Sequence, residues 1–216
     1  MDTSAKSETN RQADQLLVGV PDGDGLTDLQ IAYLQFGLNA SATVLDTAAA
    51  RRWAERTLAL GASPEQLHEI VTLMSSIGVH AFFESTRLAA ALTEPAGGRG
   101  AFDPDRQALW DRHIGERRYW TAMREEIPGF LEALLWMDPD AFVGFLDFAG
   151  LPFRAGRVET LTKEIISMAA DASSAHRYLP GMRMHLRNAV SMGCGARAIR
   201  QALEIAAESS EHVGVA

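Results

Sequence analysis

Cysteine is all but missing from this sequence, with Cys194 alone among 216 residues. One thiol closes no intrachain disulfide and builds neither a CxxC redox pair nor a cysteine-rich metal site. Long apolar runs are missing too. The stretch from Phe142 to Phe153 is broken by Gly144, Asp147, Gly150 and Pro152, which leaves it too short and too interrupted to span a bilayer. The opening Met1-Asp2-Thr3-Ser4-Ala5 has no apolar signal core, so a reduced cytoplasm is the expected location. Nor is there a strong basic cluster. A formal charge of −8 argues against nucleic acid or an anionic membrane as partner, since both need grouped Lys and Arg. Segments of strict apolar–polar alternation are absent, and β-branched clusters are few. What remains is 47% apolar and 22% charged, enough for a core that needs no metal or disulfide to hold it.

Helical spacing fills most of the chain, and the expected class is all-α. Residues 1–15 are polar with few apolar anchors and read as a mobile tail, followed by a turn at Pro21-Asp22-Gly23. Apolar positions recur at helical spacing from Thr27 through Leu29, Tyr33, Phe36 and Leu38. Thr47 is a candidate cap for a helix ending at Gly61, and Ser63-Pro64 with Glu65 and Gln66 is a strong helix start. A further helix is expected from Val79 to about Leu92. The Gly- and Pro-rich segment Thr93 to Gly100 is the clearest linker. One long amphipathic helix is expected from Asp103-Pro104 to about Glu126, a short one from Pro128 to Met137, and another from Asp138-Pro139 to Gly150-Leu151-Pro152. The last three are expected over residues 158–170, 180–192 and 196–208.

The sequence also compares with itself. Setting Gly61 on Gly193, an offset of 132, places Leu38-Asn39-Ala40-Ser41 on Ala170-Asp171-Ala172-Ser173 without a gap. Leu58, Leu60, Leu67 and Leu73 then fall on Val190, Met192, Ile199 and Ile205. Each copy reads as a long helix, a break, a second helix, a glycine turn and a third helix. The expected organisation is a tail (1–15), a first, degenerate repeat (16–92), a linker with connecting helices (93–157) and a second repeat (158–216).

The second copy reads Lys163-Glu164-Ile165-Ile166-Ser167-Met168-Ala169, then Asp171-Ala172-Ser173-Ser174-Ala175-His176. It continues Pro180-Gly181-Met182-Arg183-Met184-His185-Leu186-Arg187-Asn188-Ala189 and Met192-Gly193. This resembles the carboxymuconolactone decarboxylase family, which also holds the alkylhydroperoxidase D-like proteins. The first copy resembles it more faintly, through Ala59-Leu60-Gly61-Ala62-Ser63-Pro64-Glu65 and Ile77-Gly78-Val79-His80. The resemblance implies an all-helical, oligomerising fold whose pocket is lined by the hairpin helices. Its peroxidase branch uses a CxxC followed by a His, with a Glu on the preceding helix. Here Ser174, His176 and Tyr178 stand where that cysteine pair would lie. Disulfide peroxidase chemistry needs a thiolate and a resolving thiol, which Cys194 alone does not supply. The resemblance therefore points to the branch that works by proton transfer.

The residues of the second copy suit that chemistry. If the chain reverses between Asp171 and Pro180, Glu164 and His185 both lie roughly 12–15 Å back from the turn and can face each other. A carboxylate facing an imidazole makes an oriented acid–base pair. His176, in or beside the turn, is a third catalytic candidate. Tyr178, Asn188 and Arg183 are candidate substrate-binding residues, by hydrogen bonding for the first two and by charge for the third. At the 132-residue offset, Glu164, His176 and His185 become Ala32, Val44 and Trp53, which suits one working and one structural copy. The alternative is that Glu164 sits at the surface beside Lys163 and the histidines serve the fold. The same trio could ligate a metal, but HxxxH and HExxH spacings are absent and no metal or other cofactor is expected.

The expected function is thus cofactor-independent acid–base catalysis on a small carboxylate- or carbonyl-bearing molecule, by decarboxylation, lactone opening, isomerisation or elimination. A non-catalytic helical binding or assembly protein carrying a relic site stands as the alternative. A homo-oligomer, dimer or trimer, is expected in either case.

Overall fold

The computed structural model describes residues 3–214. Residues 1, 2, 215 and 216, the ends of the expected tail and second repeat, lie outside the described residues. Two compact units divide the chain: Met1–Gly78 with Pro152–Ala216, and Val79–Leu151.

The first unit holds α1 (Thr3–Leu16), α2 (Asp28–Ala40), α3 (Thr47–Ala59) and α4 (Pro64–Ser75). Far along the chain it gains α10 (Thr160–Ala172), α11 (Leu179–Ser191) and α12 (Ala196–Ala207). The second holds α5 (His80–Leu92), α6 (Pro104–His113), α7 (Arg118–Glu126), α8 (Phe130–Met137) and most of α9 (Pro139–Ala155). Helix is the only regular secondary structure among the described residues, and none of these helices is long and apolar enough to cross a membrane.

Capping chemistry explains where the helices begin. The Thr27 side chain accepts from Gln30 N while Gln30 reaches back to Thr27 N, and Ser63 with Gln66 does the same for α4. Each box satisfies two N–H groups that have no helical partner. α3 is capped by Asp46, whose carboxylate accepts from Ala49 N at 2.9 Å, and not by Thr47. After α3 and α11 the chain turns at Gly61 (φ 97°) and Gly193 (φ 93°), a left-handed conformation that glycine adopts without Cβ strain.

Three further expectations need correction. Residues 3–16 are helical, not a tail, with Ala13 and Leu17 buried. The segment from Asp103 to Glu126 is two helices, parted at Gly115 (φ 49°). α9 runs on through Pro152 to Ala155. α5, expected within the first repeat (16–92), falls in the second unit. There Phe83 packs against Phe130 and Phe145 with ring centroids 4.4 and 5.5 Å apart. Together with the Phe130–Phe145 edge contact at 5.3 Å, this aromatic cluster forms the heart of that unit's core.

In the first unit α10 is the central element: every residue from Thr162 to Ala172 is buried. Such a helix is ordinarily apolar all round, yet this one carries Lys163, Glu164, Ser167 and Asp171. Removing charge from water is tolerated only when it is paired, hydrogen-bonded or neutralised. The surroundings of α10 are built to do so.

The three helices α2, α3 and α4 begin at 28, 47 and 64, and α10, α11 and α12 at 160, 179 and 196. Each pair differs by 132 at its start, and at its end as well. The non-glycine residues with left-handed φ obey the same offset, Leu45 at 48° and Arg177 at 51°. Long-range bonds follow it too. Leu26 N donates to Gln201 Oε1 at 2.7 Å, and Val158 N donates to Glu69 Oε1 at 3.3 Å.

Candidate functional site

The antiparallel pair α10 and α11 brings one polar stripe from each helix together. On α10, Glu164 and Asp171 are seven residues apart and share a face. On α11, Gly181, His185 and Asn188 do the same, with Tyr178 at the N-cap. Glu164 meets His185 and Asn188, while Asp171 meets Gly181 and the loop.

His185 Nδ1 lies 2.6 Å from Glu164 Oε2, and Asn188 Nδ2 donates to that same oxygen at 3.2 Å. The side chains of Glu164 and His185 are 2% and 7% exposed. Burial alone pulls the His185 pKa down; the Glu164 charge and hydrogen bond, helped by Asp171, outweigh it, so the value rises above the ordinary histidine range. A Glu164 carboxylate accepting from Nδ1–H fixes the ring's orientation and leaves Nε2 as the nitrogen that gives or takes a proton.

The other expected residues are placed differently. His176 is in the α10–α11 loop, its Nε2 3.6 Å from Asp171 Oδ1, and burial lowers its pKa. Tyr178 is half-buried, its ring 6.3 Å from that of His176, and its backbone N donates to Asp171 O at 2.8 Å. The Arg183 guanidinium donates to Gln12 Oε1 of α1 at 2.8 Å. The pair therefore gathers with Asn188, and His176 and Tyr178 gather around Asp171.

Asp171 itself is the group that sequence reasoning passed over. Its side chain is fully buried, and burial pushes its pKa up to about 8 against the opposing pull of the His185 charge. A Cβ on Gly181 would stand 2.1 Å from Asp171 Oδ2, so only glycine leaves room for this carboxyl.

A second omission lies on the neighbouring face of α10. Lys163, given no role by the sequence reading, is fully buried, its Nζ 2.5 Å from the equally buried Glu69 Oε1. Nζ also donates to Pro152 O at 2.8 Å, one of the last carbonyls of α9, which have no helical N–H to accept. Glu69 further accepts from Arg157 N at 2.8 Å and from Val158 N. These bonds tie residues 152–158 into the first unit.

Neither family models nor curated proteins yield a match to the chain. A solved structure does. A crystal structure from Burkholderia xenovorans LB400, provisionally named a gamma-carboxymuconolactone decarboxylase subunit, is similar over 84% of this chain and 71% of that one. The identity is 32% and the TM-score 0.72. Taken with the all-helical architecture, that likeness shows that this chain belongs to the carboxymuconolactone decarboxylase family.

Proposed function

We propose that the chain is a lyase-type enzyme that moves protons on a small carboxylate- or carbonyl-bearing molecule without a cofactor. The observation that carries this is the buried Glu164–His185 bond, 2.6 Å long and braced by Asn188. As imidazolium, His185 donates from Nε2 to a developing oxyanion or carbanion; once neutral, it takes a proton back. Glu164 holds the ring and stabilises its positive charge, and Asn188 fixes Glu164. Decarboxylation, lactone opening, isomerisation and elimination all need such a group. The family's decarboxylase name favours the first two.

The matched helix boundaries support a further part of this reading: α2–α4 and α10–α12 are copies of one unit, of which only the second carries the chemistry. Ala32 and Trp53 stand where the working copy has Glu164 and His185. Association into a dimer or trimer is supported by Leu88 and Leu92, one turn apart on α5 and 61% and 78% exposed. Light scattering measures the number of subunits.

The near-complete burial of the pair is what a purely structural role would also produce. Crystals soaked in a mixture of small carboxylates, lactones and keto acids separate the two. A molecule bound within hydrogen-bonding distance of His185 is the expected result. A site that stays packed and empty across the set would mean a structural role.

A further inference from the structure

We propose that Ser167 is a substrate-binding residue of this site, its hydroxyl donating to a carbonyl oxygen of the molecule on which His185 acts. This rests on His185 being the proton-transferring group. Ser167 is 2% exposed and lies near the middle of α10, where a polar side chain needs a partner. Serines and threonines inside helices ordinarily find one by bonding back to a carbonyl one turn earlier. Thr57, Thr72, Ser75 and Thr121 do so here, each to the residue four back. The Ser167 hydroxyl makes no such bond, nor any other hydrogen bond among the described residues.

Its place on the helix brings that hydroxyl to the reacting pair. Ser167 follows Glu164 by three residues and precedes Asp171 by four, so the three share one face of α10. Contacts with α11 fix that face at both ends. Glu164 meets His185 and Asn188, and Asp171 Oδ2 lies where a Cβ on Gly181 would stand. The helices are antiparallel, so Ser167 falls between these two contacts, at the level of Met184 and His185. Residues three apart on a helix have Cβ atoms about 5–6 Å apart, a span that one small molecule covers. A ligand at the His185 ring is therefore within reach of Ser167.

The chemistry gives the hydroxyl its use. Decarboxylation, isomerisation and lactone opening all gather negative charge on a carbonyl oxygen, as an enolate or a tetrahedral oxyanion, and a fixed donor there stabilises it. His185 Nε2 carries the proton, and the Ser167 O–H holds the oxygen. No bond to Ser167 forms and its proton stays on Oγ, so no co-reactant is consumed. A neutral donor of this kind fits a lactone, a ketone or a keto acid. The first copy has Ala32, Gln35 and Trp53 at the positions of Glu164, Ser167 and His185, so it carries neither the hydroxyl nor the pair.

Binding of γ-butyrolactone and of levulinate to the full chain, followed by NMR of the ¹⁵N-labelled histidine rings, tests this. The parent is expected to bind at least one of the two with a shift of the His185 signals. Ser167→Ala gives up no bond within the protein, and alanine suits a helix interior, so this variant is expected to melt as the parent does. Its affinity for the bound probe is expected to fall roughly three- to tenfold, the share of one neutral hydrogen bond. Unchanged affinity in Ser167→Ala overturns the proposal. So does a parent whose His185 signals move with neither probe, or a Ser167→Ala protein that melts well below the parent. The outcome stands apart from that of the wider reading. Weaker binding in Ser167→Ala, beside a His185→Ala protein that still turns over its substrate, keeps Ser167 and removes His185 from the chemistry. Unchanged binding in Ser167→Ala, beside an inactive His185→Ala, removes Ser167 alone.

Discussion

Replacing Lys163 by isoleucine is expected to cost about 3–5 kcal/mol, because it leaves the buried Glu69 carboxylate without its cation. In a chain of this size that lowers the melting temperature by roughly 6–20 °C. The loss comes from the stranded charge and not from the pair's net strength, since desolvation offsets most of the attraction of a buried pair. The structure supplies the compensating change. Gln201 and the half-buried Ile31 occupy the positions of Glu69 and Lys163 at the 132-residue offset, and Gln201 still accepts the Leu26 N–H. The double variant Glu69→Gln/Lys163→Ile reproduces that neutral arrangement and keeps an acceptor for the Val158 N–H. It is expected to recover most of the stability, to within about 1–2 kcal/mol of the parent. Thermal melts of the three proteins provide the check; a double variant no better than the single one would contradict this account of the pair.

Asp171→Asn is expected to make the protein more stable at neutral pH. An aspartate ordinarily titrates near 3.8, and burial raises Asp171 to about 8. Between those values the folded chain holds a proton that the unfolded chain has released. Stability therefore falls as pH rises through this window and levels off above about 8. At 1.36 kcal/mol per unit, the burden at pH 7 is on the order of 4 kcal/mol. Asparagine has nearly the same shape, fits against Gly181 and does not titrate. The advantage of the variant should be small at pH 4, grow to a few kcal/mol by pH 8 and then stay flat. Denaturant unfolding across pH 4–9 measures it, and a pH-independent difference would show that Asp171 is ionised in the folded state. Natural aspartate at a position where asparagine is more stable is what a functional acid produces.

The legible parts of the fold are those written in local chemistry. The Ser63-Pro64 start and the glycines at 61 and 193 declare their helix ends in a few adjacent residues. α1 does not: its polar sequence has little to bury beyond Ala13 and Leu17, and a bond such as that from Arg183 to Gln12 comes from 171 residues away. The break at Gly115 was hidden because one glycine within an amphipathic pattern reads equally as tolerated or as a stop.

The candidate site divides in the same way. Glu164 and His185 could be paired on paper because two antiparallel helices count residues back from one turn. Asp171 could not, since a carboxylate at a helix end reads as a turn residue, and its burial depends on the Cβ that Gly181 lacks. For Lys163 a signal existed. At the 132-residue offset Ile31 answers to Lys163 and Gln201 to Glu69, so a charged pair joining α4 to α10 answers to uncharged residues on α2 and α12.

The most direct test of the account is turnover of a substrate found by soaking, measured in Glu164→Gln and His185→Ala proteins that melt as the parent does. General acid–base groups contribute roughly 10²–10⁴-fold, and each variant is expected to lose at least 10² in kcat. Turnover in both variants within a few-fold of the parent would contradict the assignment of Glu164 and His185 to the chemistry.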